Sequence, residues 1–341
     1  MFSAKTESGY LIEIPSSFDN YSVVSYEGRG CFSVVFKVRD NFSNIIYAAK
    51  VLSKKDMLNQ NCFDDVCNEI TIHMELTHPN ILRHYHTFEM TNSKNEELII
   101  VIEEYCSKGN LLKYIKNHSF KNKQERIYIE KGIIEGVKHL HNLGYAHCDL
   151  KLDNILLDKN MNAKLSDFGL CEKCINQDSI YFKSDIWSIG MILYTLFEGQ
   201  NLGKNIYVEG HLVTRIENEK LKKLVDKCTL LDLKKRPNID EVCNDEYFMN
   251  KETKDIEEMI LNCIDDEDDQ IYSKKEFVDS LLNLPIKFEK IINKKIENNK
   301  KKPRTLKKKS NNGKSNKSKE KVYNVLRNDD ENDDFIFFMK I

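Results

Sequence analysis

The side chains best suited to chemistry in this chain of 341 residues sit in two short polar loops. The first is His147-Cys148-Asp149-Leu150-Lys151-Leu152-Asp153-Asn154, and the second is Asp167-Phe168-Gly169. Apolar residues bracket the first loop, with Val137, Leu140 and Leu143 before it and Ile155-Leu156-Leu157 after it. Carboxylates (Asp149, Asp167), a cation (Lys151) and an amide (Asn154) together suit phosphoryl transfer. One carboxylate orients a hydroxyl, the second carboxylate and the amide hold Mg²⁺, and the lysine balances phosphate charge.

Such loops need elements that bring a polyanion to them. From Tyr21 the pattern is β-rich, through Val23-Val24 to Gly28-Arg29-Gly30-Cys31-Phe32-Ser33-Val34-Val35. Two glycines two apart between β-branched runs predict a tight hairpin whose backbone can approach a polyanion. Tyr47 to Leu52 reads as a strand with Lys50 between apolar residues. Over 62–76, Phe63, Val66, Ile70 and Met74 recur at three- and four-residue spacing, which predicts a helix carrying Glu69. Leu98 to Ile102 reads as a buried strand. Residues 110–117 and 123–143 read as helices, the second ended by Gly144. Ile186 to Phe197 is apolar on all sides, as a buried central helix would be, and is too short to span a bilayer.

The order H-x-D-L-K-x-x-N followed by D-F-G resembles the eukaryotic protein kinase family in its Ser/Thr spelling. The amino-terminal half is closest in flavour to calcium/calmodulin-dependent-like or polo-like kinases. The resemblance covers about 17–249 and implies an α+β fold of two lobes, a β-rich one to about 105 and a helical one over about 106–249. It implies ATP with Mg²⁺, or Mn²⁺, in the cleft, and a protein substrate. Asp149 would be the catalytic base or hydroxyl positioner and Lys151 its phosphate-neutralising partner. Asn154 and Asp167 would hold the metal. Gly28, Gly30, Val35, Ala48, Lys50 and Leu156 would contact the nucleotide, with backbone groups near Glu104 and Cys106 at the adenine edge. Glu69, rather than Glu75, would hold Lys50 extended, and Asp185 in Asp-Ile-Trp-Ser would brace the catalytic loop.

The chain also departs from that pattern. Ser33 stands where a third glycine often sits. Cys148 replaces the arginine that usually pairs with a phosphorylated activation loop, so a phosphate there would need Lys173 or Lys183. The residue at the back of the adenine pocket is Glu103 or, with a one-residue shift, Ile102, and a carboxylate there costs desolvation unless paired. Only residues 170–184 separate Asp-Phe-Gly from Asp185; extended, they reach roughly 50 Å, so they can bridge the gap. They contain no Ala-Pro-Glu motif, which would leave Arg236 seeking another carboxylate. An ATP-binding pseudokinase that regulates a partner by shape is therefore the alternative. A small-molecule kinase of related fold fits the motif spelling less well.

Composition bounds the rest. A net charge of −2 gives no global pull towards nucleic acid or membrane, and no specific nucleic acid is expected. Ten irregularly spaced cysteines without a signal peptide read as reduced thiols of cytosol or nucleus, and Cys171-x-x-Cys174 lacks a second pair at zinc spacing. Residues 1–17 read as an extended or mobile leader, 18–249 as the kinase-like domain, 250–298 as a helical charged extension, and 299–341 as a disordered basic, then acidic and apolar tail. Within 265–276 the acidic side chains fall at EF-hand positions for Ca²⁺, but Gln270 stands where the sharp turn needs glycine, so a solvated acidic loop is the competing reading. The basic run 300–309 suits nuclear import or simple solvation. A monomer, with a regulatory protein as a further partner, completes the expectation.

Overall fold

A computed structural model describes residues 1–176, 179–198 and 216–249, together with the backbone of 207–208 and 211–212. The expectations for 250–298, for Ca²⁺ at 265–276 and for the tail lie outside the described residues.

The chain opens on a hairpin rather than on a mobile leader. Strand β1 (Phe2–Lys5) pairs antiparallel with β2 (Leu11–Ile14). The reason is burial. Ile12 and Ile14 alternate with solvent-facing neighbours and are fully enclosed against Val34, Phe36, Ala49, Ile100 and Ile102. Polar ties fix the hairpin further: Lys94 pairs with Glu13 at 2.8 Å, and the Asn92 side chain donates to the Glu13 carbonyl at 3.1 Å.

Strands β3 (Ser17–Phe18), β4 (Tyr21–Arg29), β5 (Ser33–Asp40) and β6 (Ile46–Ser53) follow, then helices α1 (Lys54–Asn59) and α2 (Phe63–Glu75) and strands β7 (His84–Thr91) and β8 (Glu97–Glu104). They form an antiparallel six-stranded sheet in the order β3-β4-β5-β6-β8-β7. Because side chains alternate across a strand, this sheet has two different faces. Ala49, Val51, Ile100 and Ile102 face the hairpin, while Leu52, Ile99 and Val101 face α1 and α2. Lys50 pairs across from Val101, and Ala48 from Glu103, so all four point to the α2 side.

The second lobe is helical. It starts with β9 (Gly109–Asn110), α3 (Leu111–Asn117), α4 (Lys123–Asn142) and β10 (Tyr145–Ala146). Asn110 and Asn122 cap the two helices through their side-chain oxygens. Gly144 leaves α4 at φ 79°, the left-handed exit its position predicts. Short strands β11 (Ile155–Leu157), β12 (Ala163–Leu165) and β13 (Glu172–Lys173) carry the two polar loops, with β11 flanked by β9 and β12. Helices α5 (Ile180–Glu198), α6 (Glu219–Cys228) and α7 (Ile239–Cys243) complete the lobe around one continuous apolar core. Gly190 lets α5 and α6 touch: a Cβ there would lie 2.8 Å from both the Cys228 and Thr229 side chains. Among the described residues, 216–232 contribute α6 and 239–248 contribute α7.

If the hairpin is part of the core, Ile14→Ala should destabilise the protein by about 2–5 kcal/mol, the usual cost of emptying a fully buried isoleucine site. Urea unfolding would measure it; a loss near zero would mean that the leader is not packed.

Candidate active site

The catalytic loop is shaped by one buried carboxylate. Asp185, near the start of α5 and 1% exposed, accepts from the His147 N–H at 2.8 Å, the Cys148 N–H at 2.9 Å and the His141 ring at 2.9 Å. These bonds hold Cys148 at φ 64°, a left-handed conformation that a non-glycine residue adopts at a cost. The His147 ring donates from Nε2 to the Ser166 carbonyl (3.1 Å) and accepts at Nδ1 from the Asp149 N–H (3.3 Å). It therefore joins the two polar loops and sets their spacing.

Asp149 is thereby presented to solvent with its partners in place. Its Oδ2 receives Lys151 Nζ at 2.9 Å and Asn154 Nδ2 at 2.8 Å, and Asn154 Nδ2 also reaches the Asp149 carbonyl at 3.0 Å. That use of Nδ2 leaves the amide oxygen of Asn154 to face outward. Asp167 sits at φ 66° and its carboxylate takes no hydrogen bond among the described residues. Asn154 and Asp167 thus offer two hard oxygen ligands without competing protein donors. That suits Mg²⁺, which is usually held by one or two protein oxygens plus phosphate and water.

Across the cleft, Lys50 on β6 meets Glu69 on α2 at 2.6 Å. Burial alone would lower the ammonium's pKa, but the neighbouring carboxylates, Glu69 first and Asp167 with it, outweigh burial and keep Lys50 charged. Glu75 is engaged elsewhere, accepting from the Tyr145 hydroxyl at 3.3 Å. A Cβ on Gly169 would come within 3.3 Å of Glu69 Oε2 and 3.6 Å of Asp167 Oδ1, so the α2 carboxylate and the second polar loop adjoin. Val35 and Ala48 lie on the cleft face of the sheet, and Leu156 pairs with Asn110 below it. At the connection between lobes, Glu104 pairs with Lys164 at 2.7 Å and donates its N–H to the Arg83 carbonyl at 2.9 Å. The Cys106 N–H meets no acceptor among the described residues.

Glu103, and not Ile102, faces the cleft; Ile102 is on the opposite face with the hairpin. The carboxyl is buried and stands 3.5 Å from Nδ1 of His73 on α2. His73 Nε2 lies 2.6 Å from the Leu82 carbonyl, which can only accept, so Nε2 carries the ring proton and Nδ1 a lone pair. Two lone-pair atoms face each other unless a proton lies between them. Burial pushes Glu103 up to about 7, against the pull of Lys50, and pushes His73 down to about 4. Between about pH 4 and 7 the pair therefore holds one proton, on Glu103. His73 also continues a line of rings: its centroid is 4.9 Å from Phe168, which is 5.4 Å from His147, and 5.6 Å from His84 on β7.

Two expectations about cations need correction. Lys183 is buried, donating to the Arg236 and Pro237 carbonyls at 2.8 and 3.5 Å, so it is not available to a phosphate. Arg236 is satisfied without the Ala-Pro-Glu glutamate. It donates to the Leu230 carbonyl (2.6 Å) and the Lys183 carbonyl (2.9 Å), and lies 4.6 Å from the Trp187 ring centroid. Sequence reasoning also missed His141 and His73 as site-shaping residues. The available signal was a histidine on the otherwise apolar face of a helix.

Residues 21–181 match the protein kinase domain family. Over this stretch the chain is similar to eukaryotic protein kinases of the Ser/Thr type. It is 28% identical to the serine/threonine-protein kinase plk-2 of Caenorhabditis elegans over 67% of its own length and 40% of that protein's. It is 32% identical to the serine/threonine-protein kinase polo of Drosophila melanogaster over 53% of its length and 34% of that protein's. With the 3-phosphoinositide-dependent protein kinase B of Dictyostelium discoideum it shares 31% identity over 68% of its length and 29% of that protein's. The chain thus matches less than half the length of each of these relatives. Of the two flavours read from the sequence, two of these three relatives carry the polo-like one in their names.

The Glu103–His73 pair makes a prediction about this domain. Unfolded, Glu103 would titrate near 4.5 and His73 near 6.5. Between 4.5 and 6.5 the folded pair keeps one proton, on Glu103, and the unfolded pair keeps one, on His73, so the pair adds no slope to stability. Glu103→Gln leaves a histidine whose folded pKa is depressed, so stability should rise with pH from 4 to 6.5 relative to wild type. His73→Gln leaves a carboxyl whose folded pKa is raised, so stability should fall from 4.5 to 7. Each slope approaches about 1.4 kcal/mol per pH unit. Denaturant unfolding at pH 4.5, 5.5 and 6.5 would read both; slopes parallel to wild type in both variants would refute the shared proton.

Proposed function

We propose that the chain is a Ser/Thr protein kinase that transfers the γ-phosphoryl group of Mg·ATP to a protein hydroxyl. The carrying observation is that Lys50–Glu69 is closed at 2.6 Å while Asp149, its Oδ2 held by Lys151 and Asn154, stands on the opposite wall with Asn154 and Asp167, whose carboxylate accepts no hydrogen bond among the described residues. In this reading the Lys50 ammonium, held by Glu69, receives phosphate oxygens. Mg²⁺ held by Asn154 and Asp167 would supply neutralisation of phosphate charge. Asp149 orients the substrate hydroxyl and takes its proton, and Lys151, already beside Asp149, offsets charge on the transferring group. Backbone groups of Glu104 and Cys106 would meet the adenine edge, with Val35, Ala48 and Leu156 against its faces. The substrate class is a Ser- or Thr-bearing protein, the site of action cytoplasmic or, through 300–309, nuclear, and the working form a monomer that a regulatory protein controls.

The short span after Asp-Phe-Gly favours a second reading, a nucleotide-binding pseudokinase. From β13 the chain reaches α5 at Ile180, with no Ala-Pro-Glu motif to support a peptide. One experiment separates the two. Full-length protein with labelled ATP, Mg²⁺ and basic or acidic protein substrates should transfer label, and Asp149→Asn should lower the rate by about 10²–10⁴-fold while still binding ATP. Binding without transfer, to any substrate or to itself, would favour the pseudokinase.

A further inference from the structure

The glycine hairpin between β4 and β5 is gripped from outside by the turn that joins β1 to β2. The Glu7 N–H donates to the Gly30 carbonyl at 3.0 Å, and the Ser8 N–H to the Cys31 carbonyl at 3.3 Å. The turn is itself rigid. Thr6 is 1% exposed, its N–H donates to the Tyr10 carbonyl at 2.9 Å, its Oγ1 accepts from the Tyr10 N–H at 3.0 Å, and Gly9 takes φ 88° to close the loop. Two further ties fix it to other elements and one more tightens the turn itself. Ser8 Oγ donates to Asp56 Oδ2 of α1 at 3.1 Å, the Thr6 and Ser8 hydroxyls meet at 2.7 Å, and the Tyr10 hydroxyl donates to Glu96 at 2.7 Å. Asp56 is buried and also accepts from Gln60 Nε2 at 3.0 Å, so it is a fixed anchor.

Peptide geometry gives this grip a direction. In a trans peptide the C=O and the following N–H point opposite ways. Turning the Gly30 and Cys31 carbonyls towards the outer turn therefore turns the N–H groups of Cys31 and Phe32 away from it. Neither N–H has an acceptor among the described residues. Phe32, at the loop tip, packs against the cluster of Leu52, Met57 and Val66, so the tip is fixed on a second side. Successive N–H groups free to converge on an anion are what a phosphate cradle requires.

We propose that the Thr6–Tyr10 turn is a positioning clasp, anchored by Ser8 on Asp56, that sets the height and orientation of the glycine-loop amides over the nucleotide phosphates. This rests on the reading of the cleft as a nucleotide site. The clasp touches no nucleotide, so its residues act only through the loop. It discriminates phosphate from base: loosening it weakens the hold on a triphosphate and leaves the hold on a nucleoside unchanged.

The test uses the full chain as wild type, Ser8→Asp, Ser8→Ala and Ser8→Thr. Ser8→Asp sets a carboxylate against Asp56 and opens the clasp; Ser8→Ala removes the tie without adding charge, and serves if the aspartate variant does not fold. Ser8→Thr keeps the hydroxyl. Hydrogen exchange of the Glu7 and Ser8 amides, which donate across the clasp, should quicken by at least about tenfold in the first two, a local opening, while β6 and β8 stay protected. Affinity for Mg·ATP should fall by about five- to tenfold, the loss of one or two positioned hydrogen bonds, with adenosine affinity unchanged and Ser8→Thr near wild type. Unchanged exchange at Glu7 and Ser8, or equal losses for ATP and adenosine, would overturn the clasp. Absence of Mg·ATP binding by the wild type would overturn the nucleotide reading instead, and the exchange of Glu7 and Ser8 would then decide the clasp by itself.

Discussion

The site depends first on the Asp185 carboxylate. It is nearly inaccessible to water, and its desolvation is compensated by two backbone N–H groups and one ring N–H. Hydrogen bonds to a charged group contribute roughly 1.5–3 kcal/mol each, enough to hold Cys148 in a left-handed conformation that costs about 1–2 kcal/mol. Remove that carboxylate and the turn has no reason to exist. Then His147 no longer spans to Ser166, and Asp149 loses its fixed relation to Asp167. The relative position of Asp149 in one loop and Asp167 in the other is thus set by a buried carboxylate at the start of α5.

The cleft also carries more negative charge than its two lysines balance. Glu69, Glu103, Asp149 and Asp167 face Lys50 and Lys151. The chain resolves part of this by keeping Glu103 neutral. Burial disfavours its charge, and His73, whose Nε2 proton is committed to Leu82, presents a lone pair that a carboxylic acid can face. The Asp167 carboxylate and the neutral amide oxygen of Asn154 accept no hydrogen bond among the described residues, a state that a cation would relieve. The same histidine packs at a tilt against Phe168, so charge balance and the packing of the second polar loop are coupled through one ring.

Much of this was legible in sequence because the chemistry is local. Asp149, Lys151 and Asn154 lie within one loop, and their contacts follow from a turn of a few residues. Lys50 and Glu69 could be paired because a strand and a helix of recognisable period place them. Between an extended and a mobile leader the sequence left the choice open, because β1 and β2 are short, and what orders them is a sheet face formed by residues 34–102. The choice between Glu103 and Ile102 was equally open, since a continuous apolar run does not state which side faces which layer. Arg236 was expected to need a carboxylate. Backbone carbonyls at Leu230 and Lys183 and the face of Trp187 serve instead, and none of these is adjacent in sequence.

What the sequence determined by itself is the set of candidate reacting groups and the two-lobe frame, because residue type, loop spacing and hydrophobic period are short-range properties of the chain. The tertiary structure alone decided the environment of those groups. Which face Glu103 occupies, where the His73 proton goes, and which carbonyls of the glycine hairpin are taken by a turn at 6–10 all depend on packing between segments far apart in the chain. Burial and hydrogen-bond direction are properties of that packing, and they, more than residue identity, set the charge and aim of the site.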